Sequence, residues 1–456
     1  MSDTAPEPHS MIYAQVEPEH IADVNWIMEG YEHLAMVSTV DGSMGLIKFY
    51  ATPDTYFDTM DIIENMPFNV EIVDSFANEW SNIRVIPSIR WHFRKRGTLM
   101  TRINKVLELM AKLVVDCVII KDVTTIRYLT GFTGDSSLFY LDRQQGVLIT
   151  DGRYTQQAKQ EMKFFKVLEY TPTSANSIWD AAAALARKAG AQVVGFDGAW
   201  YSYNDYVTLQ ELLGELPMES MDFSGIRMIK DKKELELLLK AASIADEAFV
   251  ELLDDIRPGR TERSLAGRLE YYMRAHGSEK NSFDTIVASG ARSALPHGMA
   301  SDKVVEIGDF ITFDFGAVYR GYHSDMTRTV ALGMANSWQK EIYTIVEEAQ
   351  LKGMKAARVG MTGRELDEIV RKVITDCGYG DYYVHGTGHG VGLEIHEMPN
   401  INKRGETVLQ TGMIFTIEPG IYIPGKGGVR IEDTVVLTDE GARALNGVKK
   451  QLIEIV

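Results

Sequence analysis

Four carboxylates and a histidine-rich loop in the second half of the sequence have the types and spacing of a metal site. The segment Phe310-Ile311-Thr312-Phe313-Asp314-Phe315-Gly316-Ala317-Val318-Tyr319 alternates, with Ile311, Phe313 and Phe315 on one face and Thr312, Asp314 and Gly316 on the other. That pattern predicts a strand with one buried face. Arg320-Gly321 is a two-residue turn, and His323 to Val330 returns as the second strand of a hairpin. The register sets Asp314 opposite Thr327 and Asp325 opposite Gly316. Both carboxylates then share one sheet face on a diagonal, about 7–8 Å apart at the backbone. Two like charges aimed together are costly without a counter-charge. The flanking Phe, Ile and Val predict burial, so ligation of a cation is favoured over two solvated carboxylates.

A second acidic pair lies downstream. Phe415-Thr416-Ile417-Glu418-Pro419-Gly420 and Gly428-Val429-Arg430-Ile431-Glu432-Asp433 are strand-like, and each holds a Glu beside apolar neighbours. Taken singly, each Glu reads as an ordinary strand carboxylate, one that Arg430 would pair. Between the acidic pairs runs His385-Gly386-Thr387-Gly388-His389-Gly390-Val391-Gly392-Leu393-Glu394-Ile395-His396-Glu397. Its glycines would each cost a helix about 1 kcal/mol relative to Ala, and are expected instead to let backbone approach a ligand closely. Three histidines in twelve residues, beside four carboxylates, are poorly explained as isolated structural groups. Two Asp, two Glu and one His make an oxygen-rich ligand set. It favours Mn²⁺, with Co²⁺, Zn²⁺ or Fe²⁺ as alternatives. Four carboxylates balance two divalent ions, so a dinuclear site is electrostatically reasonable. The HExxH zinc pattern is absent, because His389 and His396 stand seven apart.

The elements that must position these groups follow from the rest of the chain. Its 456 residues, 45% hydrophobic and 24% charged, suit about three domains at roughly 150 residues each. A net charge of −17 argues against nucleic-acid partners, which are bound through clustered Lys and Arg. Two cysteines, Cys117 and Cys377, are too few for a disulfide framework and suit a reducing compartment. Met1 to Ser10 lacks the pattern of a signal peptide, and no apolar run of about 18 residues offers a membrane span. A cytoplasmic protein with no membrane partner is expected.

Residues 11–75 read as strand, helix, strand, strand, helix, strand, the β-α-β-β-α-β order of a ferredoxin-like unit. A turn falls at Asp41-Gly42-Ser43-Met44, and Pro53 opens the second helix. Such a unit serves packing or oligomerisation, or senses a small metabolite. Residues 76–96 read as a linker. From Gly97 to about Phe223 helices and strands alternate, including helix 100–113, strand 114–120 and a hairpin at Ser136–Leu141 and Gly146–Thr150, which suits an α/β domain. A third unit opens with amphipathic helices at 232–255 and 261–276, and five of the ten histidines lie between His297 and His396.

The strings FDFGAVYRGYHSDMTRT, HGTGHGVGLEIHE, FTIEPGIYI and VRIED together resemble the pita-bread metallopeptidases, the family of aminopeptidase P, prolidase, methionine aminopeptidase and creatinase. The resemblance covers about Gly97 to Val456. It implies a multidomain α/β and α+β fold: a creatinase-type N-terminal α/β domain at 97–228 and a pita-bread catalytic domain at 229–456. The ferredoxin-like domain and linker at 1–96 stand outside it. By resemblance, Asp314, Asp325, His389, Glu418 and Glu432 hold two divalent metal ions, Mn first. His297 and His396 match substrate-facing histidines, His385 a further active-site histidine, and Tyr422 and Arg430 supporting positions.

The activity implied is two-metal hydrolysis by a Xaa-Pro aminopeptidase, with Glu418 moving the water's proton to the leaving nitrogen and His297 and His396 donating to substrate oxygens. Its substrates would be peptides with proline at the second position. The alternative is a Xaa-Pro dipeptidase, and behind that a non-catalytic scaffold. A homo-oligomer, dimer or larger, is expected from the same resemblance.

Overall fold

The structure, a computed structural model, describes residues 11–29, 35–41, 45–51, 59, 62–63, 66, 68, 70–73, 97–171 and 177–456. The chain forms two compact units, Met1–Met100 and Thr101–Val456. In the first, Met11–Val16, Ala35–Asp41, Leu46–Ala51 and Val70–Val73 make a four-stranded sheet. Its spatial order is second, third, first, fourth, and every neighbouring pair is antiparallel. Alternation along Met11–Val16 buries Ile12, Ala14 and Val16 in one cluster with Val24 and Met28 of the Ile21–Glu29 helix. Of the second helix expected after Pro53, the described residues Thr59, Ile62 and Ile63 are helical, with Ile63 in the same cluster, while most of the expected turn at 41–44 and the expected linker at 76–96 lie outside the described residues.

The second unit begins with a six-stranded mixed sheet in the order Met218–Ser220, Val194–Phe196, Cys117–Ile120, Ser137–Asp142, Gly146–Thr150, Lys166–Glu169. Its central strand, Cys117–Ile120, is parallel to Val194–Phe196 and antiparallel to Ser137–Asp142. The strand expected at 114–120 starts at Cys117 instead. The preceding helix, Gly97–Lys112, ends in a Schellman-type turn. Val115 N–H donates to the Met110 carbonyl (2.9 Å) and Val114 N–H to that of Ala111 (3.3 Å). Val114 takes the left-handed residue's place there, at φ 58°. Glycine usually marks such a helix end, so the Val-Val run read as strand.

The remaining residues build a nine-stranded sheet whose main path runs Ile286–Ser289, Phe310–Phe315, Met326–Leu332, Glu432–Thr438, Ile414–Ile417, Gly388–Gly390, Glu397–Ile401. Two helix pairs cover it. Lys232–Leu253 and Glu262–Ala275 share a core with Ile311, Phe313 and Phe315, whereas Ser337–Ala356 and Gly363–Asp376 share one with Phe415, Ile417 and Val435. Each helix start is capped by its own sequence. Asp231 with Glu234, Asn336 with Gln339 and Thr362 with Glu365 form capping boxes, and Thr261 caps the fourth helix. This is the pita-bread arrangement. With Phe313 and Phe315 packed on helices, alternation turns Thr312 and Asp314 to the opposite face. No helix among the described residues is long and apolar enough to cross a membrane.

Candidate metal centre

The hairpin follows the register read from its alternation. Asp314 pairs with Thr327, and the same offset continues to Val318 with His323 and Tyr319 with Tyr322. Arg320 (φ 47°) and Gly321 (φ 81°) are both left-handed, the backbone of a primed two-residue turn whose twist matches the strands. On its other side Thr327 pairs with Glu432. Asp314, Thr327 and Glu432 therefore form a row across three adjacent strands. Asp325 directly precedes Met326, and its carbonyl accepts from Thr434 Oγ1 at 2.9 Å. Ligand atoms of Asp325, His389 and Glu432 all lie within 4.8 Å of one another.

His389 shows what this cluster requires. Its Nδ1 lies 3.1 Å from the Gly390 carbonyl, which can only accept, so Nδ1 carries the hydrogen. Burial pushes the ring's pKa down to about 4, so it is neutral near pH 7 and Nε2 presents a lone pair. That lone pair faces Asp325 Oδ2 and Glu418 Oε1, each at 3.5 Å. Three acceptors converging without a proton or a cation between them repel one another. Asp314 Oδ1 is likewise buried with no donor. Burial first, then the neighbouring carboxylates, raises the pKa of Asp325 and Glu432 well above the ordinary range, and burial raises Glu418 to about 8. A divalent cation removes that penalty and completes the orphaned oxygen. The donor set fits such an ion: carboxylate oxygens and one imidazole nitrogen.

A proton-ordered chain flanks the carboxylates. Arg430 donates from Nη2 to Asp314 Oδ2 (2.6 Å), from Nε to Thr327 Oγ1 (3.0 Å) and from Nη1 to the Tyr422 hydroxyl (2.8 Å). Burial opposes charge on Arg430, but Tyr422 and the carboxylates outweigh it and hold the guanidinium protonated. Tyr422, pushed up to about 12 by burial, keeps its hydrogen. Its hydroxyl lies 2.8 Å from His385 Nε2, and His385 Nδ1 lies 2.8 Å from the Gly386 carbonyl. Burial drives His385 to about 4. The order is therefore fixed: Arg430 donates to Tyr422, Tyr422 to His385 Nε2, and His385 Nδ1–H to Gly386.

His297 and His396 are exposed, unlike the ligand candidates. The His396 ring stands 4.3 Å from that of His389, edge-on. Arg430 Nη1 also reaches the Pro296 carbonyl at 3.1 Å, next to His297. Two of the loop glycines stand where strands crowd together. A Cβ on Gly388 would fall 1.9 Å from the Thr416 carbonyl oxygen, and one on Gly390 2.2 Å from that of Met398. They admit neighbouring backbone.

Several supporting residues were not read from the sequence. Thr327 Oγ1 donates to Glu432 Oε2 (2.6 Å) while accepting from Arg430. Thr416 Oγ1 donates to Glu418 Oε1 (3.1 Å). Asp367, fully buried, accepts from Thr387 N and Oγ1, and Arg371 beside it donates to the His385 carbonyl (2.7 Å). Glu262, also fully buried, accepts from Ser289 and Ser301 and so ties the two ends of the segment holding His297. Only the two threonines carried a signal, their place on the site face of predicted strands.

Comparison with known proteins adds to this geometry. Residues 236–439 match Metallopeptidase family M24, residues 102–229 match the Creatinase/Prolidase N-terminal domain, and residues 14–70 match a domain of unknown function, DUF4911. A Xaa-Pro dipeptidase of Pyrococcus furiosus is 49% identical over 264 residues, 58% of this chain and 76% of that protein. Among solved structures, a Xaa-Pro dipeptidase from Bacillus anthracis is 42% identical, with a TM-score of 0.76 over 78% of this chain and 99% of its own. An X-Pro aminopeptidase from Thermotoga maritima is 39% identical, with a TM-score of 0.71 over 76% and 99%.

Proposed function

Since the chain belongs to metallopeptidase family M24 and carries that family's creatinase/prolidase N-terminal domain, we propose that it hydrolyses Xaa-Pro dipeptides. Asp314, Asp325, His389, Glu418 and Glu432 would hold two divalent ions, with Mn²⁺ placed first. The observation that carries this reading is the His389 Nε2 lone pair aimed between two carboxylate oxygens at 3.5 Å. When bound, the ions polarise the scissile carbonyl and acidify water.

The chain's own groups then divide the work. Glu418 stands between His389 and Thr416, placed to accept a proton from the attacking water and return it to the departing proline nitrogen. That nitrogen comes from a tertiary amide and leaves as a secondary amine, so it must gain a proton. His396 and His297 donate to substrate oxygens from the open side. Arg430 orients Asp314 through its Oδ2, and Tyr422 keeps His385 oriented.

The sequence pointed first to an aminopeptidase. The dipeptidase reading has better support, because relatives at 49% and 42% identity bear that name and one at 39% bears the other. The domain boundaries proposed remain 1–96, 97–228 and 229–456, with a cytoplasmic homo-oligomer as the working form. Hydrolysis of Ala-Pro against Ala-Pro-Ala, after loading with Mn²⁺ and with a chelator control, tests the reading. Chelator-sensitive cleavage of the dipeptide alone is expected. Tripeptide cleavage would return the aminopeptidase, and cleavage of neither would remove the enzyme reading.

A further inference from the structure

Two cations on the segment that leaves the creatinase-type domain are buried against the loop that carries His396. Arg227 ends the short turn Ser224–Arg227, and Lys230 follows three residues later. Arg227 Nη2 pairs with Glu394, its Nη1 donates to Thr125 Oγ1 (2.8 Å) and approaches Asp122 Oδ2 (3.4 Å), and its Nε lies 3.8 Å from Glu397 Oε2. Lys230 Nζ donates to Glu397 Oε1 at 2.5 Å and to the Met228 carbonyl at 3.3 Å. The side chains of Arg227, Lys230 and Glu397 are 6%, 1% and 4% exposed.

Both cations are anchored away from the loop. Asp122 caps the Val123–Thr130 helix through Thr124 N and Thr125 N, and Lys230 N donates to the Gly412 carbonyl at 2.9 Å. Glu394 and Glu397 stand two residues before and one after His396. Gly392 completes the arc, since a Cβ there would fall 2.4 Å from Glu397 Oε1. His396 alone of this stretch turns an exposed ring toward His389. Buried ion pairs add little stability over apolar side chains of the same size, yet they fix geometry because a displaced partner leaves a bare charge.

We propose that Arg227 and Lys230 are positioning residues that hold His396 over the metal centre by clamping Glu394 and Glu397. The creatinase-type domain thereby contributes to the site through one salt-bridge cluster. This rests on the reading of His396 as a substrate-facing group.

The test uses the full chain with Arg227→Gln, Arg227→Lys and Lys230→Met. Arg227→Gln is expected to lower kcat for Ala-Pro roughly 10- to 100-fold, as misplacement of a catalytic group by about 1 Å does, with KM and bound Mn²⁺ little changed. Amide exchange across residues 391–399 should accelerate in the same variant, also in the metal-free chain. Arg227→Lys should recover part of both. Lys230→Met should show the same two effects if Arg227→Gln does not fold. Wild-type kcat with unchanged exchange in Arg227→Gln, or a lowered melting temperature at wild-type kcat, overturns the proposal. An inactive wild type sinks the dipeptidase reading instead, while the exchange data still decide whether the clamp holds the loop.

Discussion

Arg430 satisfies one oxygen of Asp314, Nη2 to Oδ2 at 2.6 Å, and leaves the other, Oδ1, buried without a donor. One carboxylate is thus oriented by a cation on one side and left open on the other, which is how a carboxylate is presented to a metal. Arg430→Lys keeps the charge but loses the fork that reaches Thr327, Tyr422 and Asp314 together. We expect kcat/KM for Ala-Pro to fall roughly 100-fold, with the metal retained. Steady-state kinetics alongside metal analysis decide it, and near-wild-type turnover would remove Arg430 from the site.

Asp325 is the most buried of the proposed ligands on the hairpin, its side chain 6% exposed. Asp325→Ala should weaken metal binding by at least about 100-fold, the upper end of what even supporting partners cost, and abolish hydrolysis. Mass-spectrometric metal content after dialysis is the check. Full stoichiometry with full activity would sink the ligand assignment.

Val114 offers a stability prediction free of the active site. It holds a left-handed backbone at φ 58° and is 75% exposed, so a β-branched residue bears strain there and loses little packing if removed. Val114→Gly should stabilise the chain by about 1 kcal/mol, the left-handed penalty less glycine's extra entropy. A lower melting temperature would show that the turn is not strained.

Asp197 should give the creatinase-type domain a pH-dependent stability. It accepts from Lys121 N and Asp122 N, but burial pushes it up from 3.8 to about 7. Between those values the folded chain holds a proton that the unfolded chain has lost. Stability is therefore full below the unfolded value and falls as pH rises through about 7. Melting temperatures between pH 5 and 8 should fall more steeply for the wild type than for Asp197→Asn. Parallel curves would contradict this.

How far the site could be read depended on distance along the chain. The Asp314–Thr327 register followed from alternation and a two-residue turn, because both strands and the turn lie within one short stretch. The ligand candidates were named from residue type and family strings, and the row from Asp314 through Thr327 to Glu432 needed the sheet. Arg227 and Lys230 carried no signal, since each meets its partner 167 residues away and no local period encodes such a pairing. Val114 was misread for the opposite reason. Its local signal was strong, and the helix turn overrode it.

The spacing of that row also sets an expected order of events in folding. The hairpin with Asp314 and Asp325 closes a loop of a few residues, whereas Thr327 and Glu432 meet across 105 positions. Short loops close early, and distant strands wait for the intervening helices to collapse. The hairpin's two carboxylates are thus expected to pair before their distant partners arrive, and a cation held by all the proposed ligands would report on a finished sheet. Metal uptake during refolding should therefore trail the recovery of secondary structure, making the ion a clock for the last step of assembly.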